Sequence, residues 1–154
     1  DFCLSRGLGD VYKRQNYNCP GQLVISGSID AINTACEKMK EAGAKRALPL
    51  PVSGAFHSPL MQPAKDELQA AIESVTFNTP RIPVYQNVDA LAHTDAEEIK
   101  KNLVAQLTGA VRWTATINNM IANGANDFTE CGPGKALQGM IGRIDKTVAA
   151  HGVE

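Results

Sequence analysis

Apolar side chains recur every three or four residues in five stretches of the chain, which is the spacing of an amphipathic helix. The predicted helices cover residues 29–42, 59–75, 97–107, 113–123 and 135–144. Short runs rich in branched side chains predict strands at residues 23–26, 44–50, 82–88, 127–131 and 147–150. Pro83 either places its strand at a sheet edge or limits it to residues 84–88. Strands that alternate with helices indicate an α/β fold with mostly parallel pairing.

Polar residues and glycines mark the ends of these elements. Ser28 is a favourable N-cap for the first helix, and Gly43 suits the left-handed conformation that ends it. Residues 16–22 carry Pro-Gly between polar side chains, so we expect a turn there, and residues 90–96 predict a polar loop. Two strands with the first helix between them would form one β-α-β unit.

The composition is that of an ordinary globular domain, with 154 residues, 44% of them hydrophobic. A formal net charge of −1 gives no electrostatic case for nucleic acid or an anionic membrane as partner. No apolar run reaches the roughly 20 residues of a membrane span. The cysteines are widely spaced without a C-x-x-C pair, which favours reduced thiols in the cytoplasm over disulfides or a metal site: Cys3, Cys19, Cys36 and Cys131.

Residues 1–15 follow neither the helical nor the strand spacing. The segment resembles the translated adapter sequence found at the ends of metagenomic gene fragments. We therefore expect a non-native tail that contributes nothing to the fold. The alternative is a native but irregular N-terminal segment.

His57 has the strongest chemical context in the chain. It lies between the predicted strand at 44–50 and the predicted helix at 59–75, where catalytic groups of α/β proteins tend to lie. Histidine can take a proton from a hydroxyl and return it to a leaving thiol, provided that an acceptor orients its other ring nitrogen. An isolated histidine is more often a surface or core residue, so the surrounding sequence decides.

Several short motifs around His57 occur in one order along the chain. They are Asn-x-Asn-x-Pro-Gly-Gln at 16–22, Val-Ile-Ser-Gly at 24–27, Ala-Gly-Ala-Lys-Arg at 42–46, Gly-Ala-Phe-His-Ser at 54–58, Asn-Val at 87–88, Gln-Leu and Val-Arg-Trp within 106–113, and Glu-Cys-Gly-Pro-Gly-Lys at 130–135. In this order the chain resembles the malonyl-CoA:acyl-carrier-protein transacylases from about residue 16 to its end.

The resemblance implies an α/β fold built from two parts of a longer protein. Residues 16–52 would be the second half of a ferredoxin-like small subdomain, and residues 53–154 the C-terminal part of an α/β-hydrolase-like acyltransferase domain. The implied reaction is malonyl transfer from coenzyme A to the phosphopantetheine thiol of acyl carrier protein in fatty acid biosynthesis, through an acyl-serine. It implies coenzyme A thioester as substrate, no cofactor, and a monomer at full length.

The resemblance also implies residue roles. His57 matches the general base, and Gln106 matches the residue whose main-chain carbonyl orients it, so that the Gln106 side chain need not matter. Phe56 matches the form associated with malonyl substrates, although plain core packing is an alternative. Asn18 matches part of the pantetheine groove. The adjacent cations Lys45 and Arg46 match a pair that meets phosphate of coenzyme A or of the carrier protein, the alternative being a solvated charge pair.

The sequence lacks the nucleophile that this chemistry needs. Ser26-Gly27 and Ser53-Gly54 do not form G-x-S-x-G, and the arginine that would clamp a malonyl carboxylate is also absent. We therefore expect a fragment that is inactive alone. The alternative is a non-catalytic α/β module that docks an acyl carrier protein through Lys45 and Arg46.

Gly132-Pro133-Gly134-Lys135 has neither the spacing nor the following Ser or Thr of a phosphate-binding loop. We interpret it as a tight strand-to-helix turn. Glu130, just before it, is interpreted as a structural residue rather than an acid catalyst. His93 and His151 receive no role.

Overall fold

The computed structural model describes residues 15–153. Its helices are α1 (Ile29–Glu41), α2 (Gln62–Glu73), α3 (Ala96–Gln106), α4 (Trp113–Ala122) and α5 (Ala136–Ile144), and a 3₁₀ turn at Pro59–Met61 precedes α2. Its strands are β1 (Gln15–Cys19), β2 (Gln22–Ile25), β3 (Val84–Tyr85), β4 (Ala92–His93), β5 (Asp127–Cys131) and β6 (Ala149–Val153). Apart from the backbone of Gln15 in β1, the predicted tail at 1–15 lies outside the described residues.

The five predicted helices are confirmed to within two residues at most ends. Ser28 caps α1 as expected, its Oγ accepting from the Ala31 amide at 3.4 Å, and Gly43 follows the helix with φ +90°. Asp95 caps α3 through a 2.8 Å bond from the Glu98 amide. The exception is α2, where a separate 3₁₀ turn occupies the predicted first turn.

The predicted turn at 16–22 is wrong, because most of it is strand. β1 and β2 form an antiparallel hairpin in which Asn16 pairs with Val24, and only Pro20-Gly21 makes the turn. The other edge of β1 is also occupied, since the Tyr17 amide donates to the Val111 carbonyl at 2.8 Å. Pairing on both sides overrides the turn preference of the polar side chains.

Two further strand predictions are wrong or shortened. Residues 44–50 form no strand, because no strand in residues 15–153 pairs with this segment. Leu48 and Leu50 within it are each 54% exposed. The segment at 82–88 is a strand only at Val84–Tyr85, which pairs with Ala92–His93 inside the predicted loop. Backbone groups of an extended segment need a partner, so a strand cannot be judged from its own residues alone.

Within residues 15–153, parallel pairing occurs only between β5 and β6, so the expectation of mostly parallel pairing is wrong for this part of the chain. β5 has the predicted bounds, and it pairs in parallel with β6 from Asp127↔Ala149 to Cys131↔Val153. The other two pairs, β1–β2 and β3–β4, are antiparallel. Short hairpins permit antiparallel pairing directly, whereas a parallel pair needs a crossover such as α5.

The core of the described residues is small and draws on several helices. Ile117 of α4 is 1% exposed, and α1, α3 and α5 contribute further buried side chains: Ala35, Cys36, Ile99 and Ile141. Thr114 at the start of α4 donates to the Tyr17 carbonyl at 3.2 Å and so joins the hairpin to this core. By contrast, α2 has no buried residue within the described chain, and Leu68 on its apolar face is exposed. Within residues 15–153, no helix combines the length and apolarity needed to cross a membrane.

Candidate active site around His57

His57 lies in a tight turn immediately before the 3₁₀ turn at Pro59–Met61. The segment before it is irregular rather than a strand, so the predicted strand-to-helix junction is confirmed only on its helical side. The backbone of His57 has φ +60°, a left-handed conformation that few residues other than glycine adopt. The side chain is half-buried. A conformation of this kind persists only when neighbouring contacts hold it.

Ser58 provides one of those contacts. Its Oγ donates to the Ala55 carbonyl at 2.6 Å and accepts from the Leu60 amide at 3.3 Å, so it closes the turn and caps the 3₁₀ segment. The residue is only 2% exposed. With both hydrogen-bond roles used and the hydroxyl buried, Ser58 is a structural residue and not a free nucleophile beside His57.

The predicted contact between His57 and Gln106 is confirmed. His57 Nδ1 lies 2.9 Å from the main-chain oxygen of Gln106, 49 residues further along the chain. A carbonyl oxygen can only accept, so at this distance Nδ1 carries the proton. In the neutral ring, Nε2 then carries the lone pair, and it makes no hydrogen bond within residues 15–153. A lone pair on the free nitrogen is what a general base requires.

Gln106 is the last residue of α3, and the loop after it folds back on it. Its main-chain oxygen accepts from the Gly109 amide at 3.1 Å as well as from His57. Its side-chain Nε2 donates to the carbonyls of Gly109 and Ala110 at 3.3 and 3.2 Å. Sequence reasoning missed this side-chain role, since spacing along the chain does not reveal a loop that closes on its own helix end.

The predicted substrate-binding residues lie on three separate segments. Asn18 is half-buried in β1, and Lys45 and Arg46 are exposed in the irregular segment after α1. The Phe56 ring, 43% exposed, lies beside Gly54, where a Cβ would stand 3.5 Å from it. In the described part of the chain, no hydrogen bond or ion pair links these side chains to His57. Their assigned roles remain predictions.

The glycine-rich turn at 132–135 is a strand-to-helix turn, as interpreted from the sequence. Gly132 and Gly134 have φ of +126° and +94°. The Glu130 carboxylate accepts from the amides of Leu137 and Gln138 at 3.1 and 3.2 Å. The bond from the Leu137 amide, together with those from Gln138, lowers the pKa of Glu130 against the opposing effect of desolvation. Glu130 therefore occupies the helix N-terminus that a phosphate would use.

A second titratable cluster surrounds His93, which the sequence left without a role. The ring is 6% exposed, with Nε2 at 2.8 Å from Asp89 Oδ2 and Nδ1 at 3.0 Å from Glu98 Oε2. Asn102 donates to Asp89 Oδ2 at 3.1 Å. Burial alone would lower the pKa of His93, but hydrogen bonds and charges of Glu98 and Asp89 outweigh it, and the pKa is raised. This cluster joins the β3–β4 hairpin to the first turn of α3.

Comparison with protein families finds a match over most of the chain. A family model described as an acyl transferase domain matches residues 3–149. The chain belongs to this family. Its mixed helix and strand architecture is that of solved acyltransferases, which confirms the predicted α/β class and is consistent with the predicted C-terminal part. No group of three or more His, Cys, Asp or Glu side chains within residues 15–153 is arranged to hold a metal ion.

The matched relatives are named as malonyltransferases. The malonyl CoA-acyl carrier protein transacylase of Escherichia coli K12 is 44% identical over 148 residues, covering 96% of this chain and 48% of the relative. A crystal structure of an acyl carrier protein S-malonyltransferase from Vibrio cholerae superposes with a TM-score of 0.90 at 49% identity, over 95% of this chain and 48% of that one. A type II PKS acyl-carrier protein complex with its malonyl-transacylase matches with a TM-score of 0.85 at 44% identity, over 90% and 45%. The chain therefore spans about half the length of the relatives it matches.

Proposed function

We propose that this chain supplies the general base of a malonyl-CoA:acyl-carrier-protein transacylase, with His57 in that role. The observation that carries the proposal is the 2.9 Å hydrogen bond between His57 Nδ1 and the Gln106 main-chain oxygen. It leaves the Nε2 lone pair free to accept a proton. The names of the matched relatives support malonyl-CoA and acyl carrier protein as substrates. We place the reaction in fatty acid biosynthesis in the cytoplasm.

The proposed reaction has two transfers. A serine hydroxyl attacks the malonyl thioester carbonyl while His57 Nε2 takes its proton, the C–S bond breaks, and the proton passes to the leaving coenzyme A sulfur. The phosphopantetheine thiol of the carrier protein then attacks the acyl-serine, gives its proton to Nε2, and the serine recovers the proton as its C–O bond breaks. No electrons are exchanged, so the steps need no redox partner.

The substrate-binding assignments are part of the same proposal. Asn18 would contact the pantetheine arm, and Phe56 would favour malonyl over bulkier acyl groups. Lys45 and Arg46 are exposed, which suits contact with a phosphate or an acidic partner. An Arg46→Ala change should lower the affinity for the carrier protein and make that affinity less dependent on salt concentration. Arg81→Ala, at another exposed position, should change neither.

We further propose that the chain is the C-terminal part of the enzyme and is inactive alone. The sequence has no G-x-S-x-G, and a base without its serine has nothing to activate. Ser58 cannot replace it, because its hydroxyl is buried and bonded to Ala55. The nucleophile would come from the preceding half of the full-length protein.

A chimera tests the proposal. The part of the Escherichia coli relative that this chain does not cover is fused ahead of residues 16–154. Transfer of radiolabelled malonyl from coenzyme A to acyl carrier protein is then measured. We expect transfer by the chimera, none by the chain alone, and a loss of about 10²–10⁴-fold on His57→Ala. His151→Ala, an exposed histidine paired with Asp127, is the matched control and should leave the rate unchanged.

The same experiment separates the enzyme from a binding module. Stable label on the isolated chain would contradict the absence of a nucleophile. Transfer by the chimera that survives His57→Ala would remove His57 from the base role. A chimera without transfer, together with a chain that still binds acyl carrier protein, would favour the non-catalytic module.

A further inference from the structure

The side-chain amide of Gln106 occupies a position that its main-chain role does not explain. Nε2 lies within hydrogen-bond distance of two carbonyls, those of Gly109 and Ala110, at 3.3 and 3.2 Å. Only the NH₂ end of an amide can bind carbonyls, so its orientation is determined by these neighbours. Nε2 also stands 3.5 Å from His57 Nδ1, but that nitrogen already donates to the Gln106 main-chain oxygen and offers no lone pair.

The loop from 107 to 110 folds back on the end of α3, where the Gln106 side chain adds to the main-chain bonds. The last carbonyls of a helix lack partners within the helix, and here the Gln106 oxygen receives the Gly109 amide as well as His57. The side chain of Gln106 in turn donates to main-chain carbonyls of the same loop. Loop and helix end are thus tied by three bonds that all involve Gln106: one through its main-chain oxygen and two through Nε2.

Gly109 packs closely against the end of α3 and against Val88. A Cβ on Gly109 would stand 2.9 Å from the Ala105 carbonyl oxygen and 3.1 Å from Val88 Cγ2. Gln106 Oε1, meanwhile, is buried without a hydrogen-bond partner within residues 15–153. Leaving a buried acceptor unpaired is costly, so the two bonds from Nε2 must offset that cost.

We propose that the Gln106 side chain is a positioning group for His57. By holding the 107–110 loop against the end of α3, it directs the Gln106 main-chain oxygen at His57 Nδ1–H and so keeps the lone pair on Nε2. The inference deepens the proposed function. It rests on that proposal only in taking the Nε2 lone pair to be the group that accepts a proton. It replaces the expectation that the amide of Gln106 need not matter.

The test is the tautomer of His57, read by NMR from the ring ¹⁵N signals of the full chain at alkaline pH, where imidazole is neutral. In the unaltered chain we expect a pyrrole-type Nδ1 and a pyridine-type Nε2. Gln106→Met keeps the length of the side chain but has no donor. It should shift His57 toward a tautomer mixture and speed exchange of the Gly109 amide about threefold to tenfold.

Gln86→Met is the matched control. Gln86 is buried. Like Gln106, it donates through Nε2 to a main-chain carbonyl (Ile99 of α3, 3.0 Å) and has an Oε1 without a hydrogen-bond partner within residues 15–153. It should cost similar stability without changing the His57 tautomer. If Gln106→Met fails to fold, Gln106→Asn, which keeps an amide too short to reach the loop, should give the same tautomer mixture.

Three outcomes would overturn the proposal: an Nε2–H tautomer in the unaltered chain, an unchanged tautomer in the Gln106 variants, or the same shift in Gln86→Met. Failure of the proposed function gives a different result. A chimera without malonyl transfer but with the expected tautomer would contradict the catalytic role alone, and transfer with the wrong tautomer would contradict the positioning role alone.

Discussion

The Ser58 hydroxyl donates a 2.6 Å hydrogen bond to the Ala55 carbonyl and thereby closes the turn that contains His57. Because His57 has a left-handed backbone at φ +60°, its side-chain direction depends on that closure. The same hydroxyl caps the 3₁₀ turn that leads into α2. One buried serine therefore bonds both the 3₁₀ turn that precedes α2 and the turn that holds the candidate base.

Ser58→Ala should destabilise the chain by about 1–2 kcal/mol, because it leaves the Ala55 carbonyl and the Leu60 amide without their partner. Urea unfolding measures the change. Ser53→Ala is the control, since Ser53 is exposed in the same segment, and it should stay within about 0.5 kcal/mol of the parent. Equal effects of the two substitutions would show that the Ser58 bonds add no stability.

Gly109→Ala should destabilise the chain by about 1–3 kcal/mol, because the added methyl meets the Ala105 carbonyl oxygen and Val88 at the distances of a clash. Gly139→Ala should do the opposite. Gly139 lies inside α5 with nothing within 4 Å of an added Cβ, so alanine should stabilise by about 0.5–1 kcal/mol through its helix propensity. Thermal unfolding of both variants checks the sign, and a stabilising Gly109→Ala would contradict the packing at the end of α3.

His93 should make stability depend on pH near neutrality. Its folded pKa lies above 6.5, so its contribution is fully present below pH 6.5 and is lost as the pH rises through the folded value. His93→Gln should remove this fall in the free energy of unfolding, which urea titrations at several pH values measure. The difference between parent and variant should shrink as the pH increases.

Two adjacent glutamates in the first turn of α3, Glu97 and Glu98, provide a test variant and a control for this pH effect. Glu98 contacts His93 Nδ1 at 3.0 Å, whereas the adjacent Glu97 is exposed and does not bond the ring. Glu98→Gln should reduce the slope, and Glu97→Gln should retain it. A slope that survives both His93→Gln and Glu98→Gln would assign the pH dependence to other groups.

The Glu130 carboxylate should make the stability of the fold decrease at acid pH. The pKa of Glu130 is lowered from 4.5, so its contribution is present above that value and is lost as the pH falls through the folded-state pKa. Glu130→Gln should flatten the acid limb of the stability curve and lower the thermal midpoint at neutral pH. Glu67→Gln, an exposed carboxyl on α2, serves as control and should change neither. Equal acid limbs in parent and Glu130→Gln would mean that the carboxylate does not cap α5.

The sequence by itself determined the helices, both ends of α1 and the candidate base. Helical spacing, Ser28 and Gly43 act within one or two turns, so local chemistry suffices to predict them. The motif order around His57 identified the family and, through it, the contact with Gln106. Local signals of this kind are present in the chain before any tertiary contact forms.

Only the tertiary structure decided the strands and the detail of the site. Residues 44–50 have the composition of a strand but no partner within residues 15–153, while the polar residues 16–19 become a strand because β2 and Val111 supply partners on both edges. Likewise, the Gln106 amide and the pair of carboxylates at His93 depend on chain segments meeting in space. Strand pairing and buried hydrogen bonds are non-local, so their partners cannot be read from spacing along the chain.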